Sequence, residues 1–193
     1  MNTYADYHGL HPFIALQNEW SLVERSHEPE YLPMCKELDI GMTCWSPLHG
    51  GLLSGKYTTD SVDPSIPNRV LPHVKDSSQF WYEATQRNLA ILKELQPIVD
   101  EIGEPWTAFA LRWLMQQKET VTIPIFSVRT AKQLTDALRA TEFELSDEQM
   151  AKINAITSPA ITSPYPAFGG YPYTMLEYGS PALPNFFSRA LLY

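Results

Sequence analysis

Cysteine is scarce in this 193-residue chain, with Cys35 and Cys44 the only two. Two thiols make no disulfide framework, and no C-x-x-C pair or His/Cys cluster offers the ligand spacing of a metal site. They read as buried thiols in a reducing compartment. Positive charge is also short, with 14 basic residues against 22 acidic ones and a net charge of −8. The basic residues are scattered, and such a surface repels polyanions, so nucleic acid is not an expected partner. Long apolar runs are missing too. Nothing approaches the ~20 residues of a membrane span, and the start "MNTYADYHGLHPF" has no basic segment followed by an apolar one, as a signal peptide would. These absences lead to the expectation of a cytoplasmic protein without membrane contacts. Its histidines, His8, His11, His27, His49 and His73, show no ligand spacing, so no metal is expected.

What the chain does contain is enough apolar residue, 44%, for one domain with a real core. Three compact apolar runs, residues 12–17, 40–45 and 121–126, read as buried strands. Between and after them, helical spacing predicts helices over 28–39, 78–103, 105–117, 130–143 and 145–156, the last opened by Ser146 with Glu148 and Gln149 in its first turn. Pro97 is a candidate kink. Residues 46–78 carry several prolines and glycines without a period and read as a long loop after a strand. Residues 157–193 are rich in Pro, Gly, Tyr and Phe, which suggests an ordered arm packed on a surface rather than a linker. Buried strands alternating with helices imply a parallel α/β sheet.

One stretch, "PLHGGLLSGKYTTD" over residues 47–60, raises a question of its own. Gly50, Gly55 and Lys56 fit G-x-x-x-x-G-K-[ST] up to the last position, where Tyr57 replaces the Mg²⁺-binding hydroxyl. Such a loop must open straight into a helix, and "YTTDSVDPSIPN" cannot be that helix. A glycine-rich loop at the end of a parallel strand, with Lys56 and Arg69 as its positive charges, suits a pyrophosphate held without Mg²⁺.

"GMTCWSPLHGGLLSGKY" resembles the seventh strand and loop of the aldo-keto reductases, NADPH-dependent (β/α)₈ barrel enzymes. "PFIALQNEWSLVER" resembles their sixth strand, "AFALRWLMQQKETVTIPIFSVRTAKQLTDAL" the approach to the eighth strand, that strand and the helix beside the cofactor's adenosine, and "LSDEQMAKINAI" the helix that follows. The texture is similar to that of the aryl-alcohol dehydrogenase-like branch. The resemblance implies the C-terminal portion of a TIM barrel, strands six to eight, open rather than closed. It also implies a partial barrel domain over 1–156 and a C-terminal arm over 157–193.

What the resemblance assigns to single residues is a cofactor site for NADP(H). Gln17 matches the glutamine that bonds the nicotinamide carboxamide, and Trp45 the aromatic residue that stacks on the nicotinamide ring. Ser46, Pro47, Leu48, His49 and Gly50 match the lining of the pyrophosphate and ribose, and Lys56 and Arg69 the phosphate contacts. Ser127, Arg129, Gln133 and Asp136 match the adenosine end, with Arg129 suited to a 2′-phosphate. Two departures stand out: Ala137 replaces an asparagine that contacts adenine, and Lys132 replaces an acidic residue.

The family's catalytic tetrad of Tyr, Lys, Asp and His lies on the first four strands, and no segment here matches it. Tyr4, Tyr7, Tyr57 and Tyr82 do not stand where the proton donor would, so no catalytic residue is expected. Three readings follow. The chain is the cofactor half of an NADPH-dependent carbonyl reductase whose small-molecule substrate needs the complete barrel. Or it is a non-catalytic truncated or pseudo-enzyme fragment with a binding or assembly role. Or it is half of a split barrel. In each case the open sheet edges and apolar inner face favour self-association.

Overall fold

A computed structural model describes residues 1–57 and 74–159, with side chains described outside 74–82. The elements are α1 (Asn2–Tyr7), β1 (Ala15–Glu19), α2 (Glu28–Leu38), β2 (Gly41–Trp45), a 3₁₀ turn over His49–Ser54, α3 (Val74–Ile102), α4 (Trp106–Met115), β3 (Thr122–Ile125), α5 (Ala131–Leu138), a 3₁₀ turn over Arg139–Thr141, and α6 (Asp147–Thr157). The α/β alternation matches the expectation, and the three strands form one parallel sheet in chain order.

β1 begins three residues later and ends two residues later than the apolar run 12–17 suggests. The reason lies in the first residues. The Asn2 side chain accepts from Phe13 N–H at 2.9 Å and donates to Phe13 C=O at 3.1 Å, so the backbone of Phe13 is taken before the sheet begins. Ladder pairing then starts with Ala15 opposite Gly41 and carries on to Glu19 opposite Trp45. Gln17 is therefore mid-strand, and Glu19 holds the strand-end position that the sequence assigns to Gln17. The same contact secures α1, which the apolar spacing does not signal.

α3 is longer than expected and continues through Pro97 without a break. α5 stops at Leu138 and tightens into 3₁₀ geometry instead of reaching residue 143. Both α5 and α6 open with reciprocal capping boxes, Thr130 with Gln133 and Ser146 with Gln149. The last turn of α6 passes the proposed boundary at residue 156, and the arm from residue 160 onward lies outside the described residues, as do Arg69 and His73.

Each strand alternates between two very different surroundings. Met42 and Cys44 are fully buried against the helices, in a core with Trp20, Leu22, Phe109, Trp113 and Leu114. The other face carries Gln17, Thr43, Trp45, Ile123 and Ile125, and among the described residues nothing covers it; Trp45 is 44% exposed, Ile123 54% and Ile125 45%. This one-sided burial leaves the sheet open.

Candidate functional site

Because all three strands point the same way, their C-terminal ends form one rim. Glu19, Trp45 and Ile125 stand in register there, with the 46–54 turn and the Ser127–Arg129 segment immediately beyond. That end of a parallel α/β sheet is where such folds place ligands.

The turn after β2 is built from unusual backbone. Ser46 and His49 adopt left-handed φ values of +53° and +46°, which non-glycine residues seldom do. Gly50 and Gly51 follow at +65° and +98°. Four left-handed residues within six positions fold the chain tightly back on the strand end. Pro47 is buried and Leu48 packs against the core, while Gly50 and the indole of Trp45 reach the surface. Trp45 thus offers an exposed aromatic face at the rim. Gln17 lies on the same open face, and its amide donates to Thr43 Oγ1 at 3.5 Å.

Next in the turn is Gly55, also left-handed, at φ +77°. A Cβ there would lie 2.6 Å from Trp106 Cδ1, so an indole, not an anion, occupies the space that this glycine opens. Lys56 places its Nζ over the Tyr57 ring, 4.8 Å from the centroid. The last described residues of the loop therefore form a packed corner.

Beyond β3, Ser127 and Arg129 are exposed. Gln133 accepts from the Arg129 and Thr130 backbone N–H groups at 2.8 and 3.3 Å, so its carboxamide caps α5. Asp136 accepts from Lys132 Nζ at 2.8 Å. Ala137 is buried beside Ala108, Leu111 and Ala140 and faces α4, which leaves no room there for a ligand contact.

Two features of the rim carry no sequence signal. His49 Nδ1 lies 3.8 Å from Glu19 Oε1, and burial pushes the imidazole below its ordinary value. Burial, helped by Glu24, pushes the Glu19 carboxyl up. Behind the rim, Arg25 makes a two-armed pair with buried Glu28 at 2.6 and 2.9 Å and donates to Thr157 Oγ1 at 2.6 Å. Trp20 Nε1 donates to the same Glu28 at 2.8 Å, and the Arg25 guanidinium sits 5.1 Å from the Trp113 ring centroid. This network ties the segment after β1 to the end of α6. Arg25 and Thr157 lie 132 positions apart, so spacing could not reveal that link. Among the described residues there is no cluster of three potential metal ligands, and no helix is long and apolar enough to cross a membrane.

The family model of the aldo/keto reductases matches residues 2–158. The chain belongs to the aldo/keto reductase family of oxidoreductases. Among curated relatives it is 31% identical over 140 residues to the uncharacterized oxidoreductase YrpG of Bacillus subtilis, an alignment covering 72% of this chain and 39% of the relative. It is 31% identical over 146 residues to probable aldo-keto reductase 1 of Glycine max, covering 76% and 40%. It is 28% identical over 149 residues to a putative aryl-alcohol dehydrogenase of Schizosaccharomyces pombe, covering 76% and 39%. The chain therefore spans about two fifths of the length of these relatives.

Proposed function

We propose that this chain corresponds to the sixth to eighth units of an aldo-keto reductase barrel and supplies the nicotinamide-binding rim of an NADP(H)-dependent oxidoreductase that reduces aldehydes and ketones. The observation that carries the reading is Trp45. An exposed indole at a strand end, followed at once by a left-handed turn, suits a flat heteroaromatic ring with a phosphate chain attached.

The described residues fit such a group unevenly. At the nicotinamide end, Trp45 offers a stacking face and Gln17 an amide that both donates and accepts. Gly50 lets a backbone approach closely, and Ser46 lies in the same turn. At the adenosine end, Arg129 and Ser127 are accessible, but Gln133 is engaged in capping and Asp136 in its pair with Lys132. The 2′-phosphate contact therefore rests on Arg129, and Arg69 remains an expectation outside the described residues. When bound, the nicotinamide supplies the hydride. The chain's own residues orient the ring and shield one of its faces. A proton donor must come from outside this set. Tyr4 and Tyr7 lie on α1, ahead of β1, and the Tyr57 ring packs against Lys56 Nζ.

That last point favours a second reading, in which the chain by itself binds without catalysing. Two measurements on the purified chain test both. Calorimetry with NADPH should show binding that weakens in Trp45→Ala and Arg129→Ala. NADPH oxidation with aromatic and aliphatic aldehydes should show no turnover. Absence of binding would overturn the cofactor reading, and turnover that is lost in Trp45→Ala would overturn the non-catalytic one.

A further inference from the structure

Glu19 and His49 face each other across the rim without bonding. His49 Nδ1 is enclosed and has no hydrogen-bond partner, although Glu19 Oε1 is only 3.8 Å away. The two side chains are 31% and 29% exposed, so solvent reaches the pair even though that nitrogen is shut in. The left-handed backbone at His49, φ +46°, places its Cβ on the strained turn that abuts the end of β1.

The charge that acts on the pair is negative. Glu24, in the segment after β1, acts on both groups. α4 packs against the 3₁₀ turn and brings Arg112, but that guanidinium is taken by Gln116 at 2.9 Å and Glu144 at 3.2 Å. Lys56, beyond the turn, sits over Tyr57. An imidazole that resists charging thus faces a carboxyl that resists losing its proton, and a single proton between them would give the enclosed His49 Nδ1 its missing partner.

We propose that Glu19 and His49 share one titrating proton, and that its uptake raises the affinity of this rim for phosphate-bearing ligands. The proton comes from solvent and binds Nδ1, which then donates to Glu19 Oε1 and draws the 46–51 turn onto β1. The pair passes from one negative charge to none, so the rim loses a unit of repulsion toward an anion. The affinity half of this proposal rests on the dinucleotide reading of the rim; the shared proton does not.

The test uses the full chain. Histidine-selective NMR follows the His49 imidazole through a pH titration in wild type and in Glu19→Gln. Calorimetry measures NADP⁺ binding at pH 7.5 and 5.5 in wild type, Glu19→Gln and His49→Gln. The ligand's own phosphate titrates equally in all three, so comparing ratios removes it. We expect the His49 midpoint to fall by about half a pH unit or more in Glu19→Gln, because a stabilising carboxylate is lost. We also expect the gain in affinity on acidification to be about fivefold larger in wild type than in either variant. An unchanged midpoint overturns the shared proton. Equal ratios overturn the effect on affinity. If wild type binds no nucleotide at either pH, the dinucleotide reading fails and the affinity half falls with it, while the midpoint still decides the shared proton.

Discussion

Gly55 lies so close to Trp106 that a Cβ at position 55 would sit 2.6 Å from Cδ1 and 2.9 Å from Cγ of the indole. Trp106 cannot easily give way. Its Nε1 donates to Gln96 at 3.0 Å, and its ring packs edge-on against Phe109. Gly55→Ala should therefore combine a left-handed strain with a steric conflict and lower the unfolding free energy by about 2–4 kcal/mol. Urea unfolding measures this. A loss under about 1 kcal/mol, the strain alone, would show that the indole moves freely.

The Arg25–Glu28 pair gives a second expectation. Their side chains are almost fully enclosed, and Glu28 also accepts from Trp20. Arg25→Met takes the Arg25 counter-charge away from a buried carboxylate and should cost about 3–5 kcal/mol. The double variant Arg25→Met/Glu28→Leu removes both charges and should recover at least half of that loss. Double-mutant unfolding curves decide the matter, and purely additive losses would contradict it.

Cys44 sets a pH limit. Burial raises its thiol from the ordinary value near 9 to about 12. In that interval the unfolded chain releases a proton that the folded chain keeps, so the stability contributed below pH 9 is lost as pH rises. The slope is about 1.4 kcal/mol per pH unit for this group. Cys44→Ala unfolded over the same range should show a shallower decline than wild type. At pH 8 the folded chain should resist iodoacetamide at both Cys35 and Cys44 and react at both after denaturation.

How much of this was legible in the residues varies with the distance of the contacts. The three strands follow from their apolar runs, and the start of α6 from Ser146, because those signals are local. The ends of β1 are not local. They depend on Asn2 reaching Phe13 and on which residue meets Gly41, and neither leaves a periodic trace. At the site, Trp45 and the glycine-bearing turn are readable as a strand end followed by special backbone. The Glu19–His49 pair is not, since a two-residue difference in where β1 ends decides whether Glu19 reaches the rim. The sequence also gives no warning that the Gln133 amide is engaged in capping, or that Ala137 faces the core.

The open sheet face has a consequence in solution. Trp45 and Ile125 are paired in register, Ile123 lies two residues along the same exposed face, and β1 and β3 are edge strands. Exposed apolar sheet with unpaired edges associates. The purified chain should form oligomers by light scattering and bind a hydrophobic dye. The double substitution Ile123→Lys/Ile125→Glu should reduce both signals. A wild-type monomer with a cooperative thermal transition and no dye binding would contradict this expectation.

The central claim is that Trp45 stacks on a nicotinamide ring. Proton NMR with saturation of the indole resonances in the NADP⁺-bound chain tests it most directly. Transfer should appear on the nicotinamide protons, stay weak on the adenine protons, and disappear in Trp45→Leu, with affinity falling about three- to tenfold. Transfer that favours adenine, or that survives Trp45→Leu unchanged, would contradict the account.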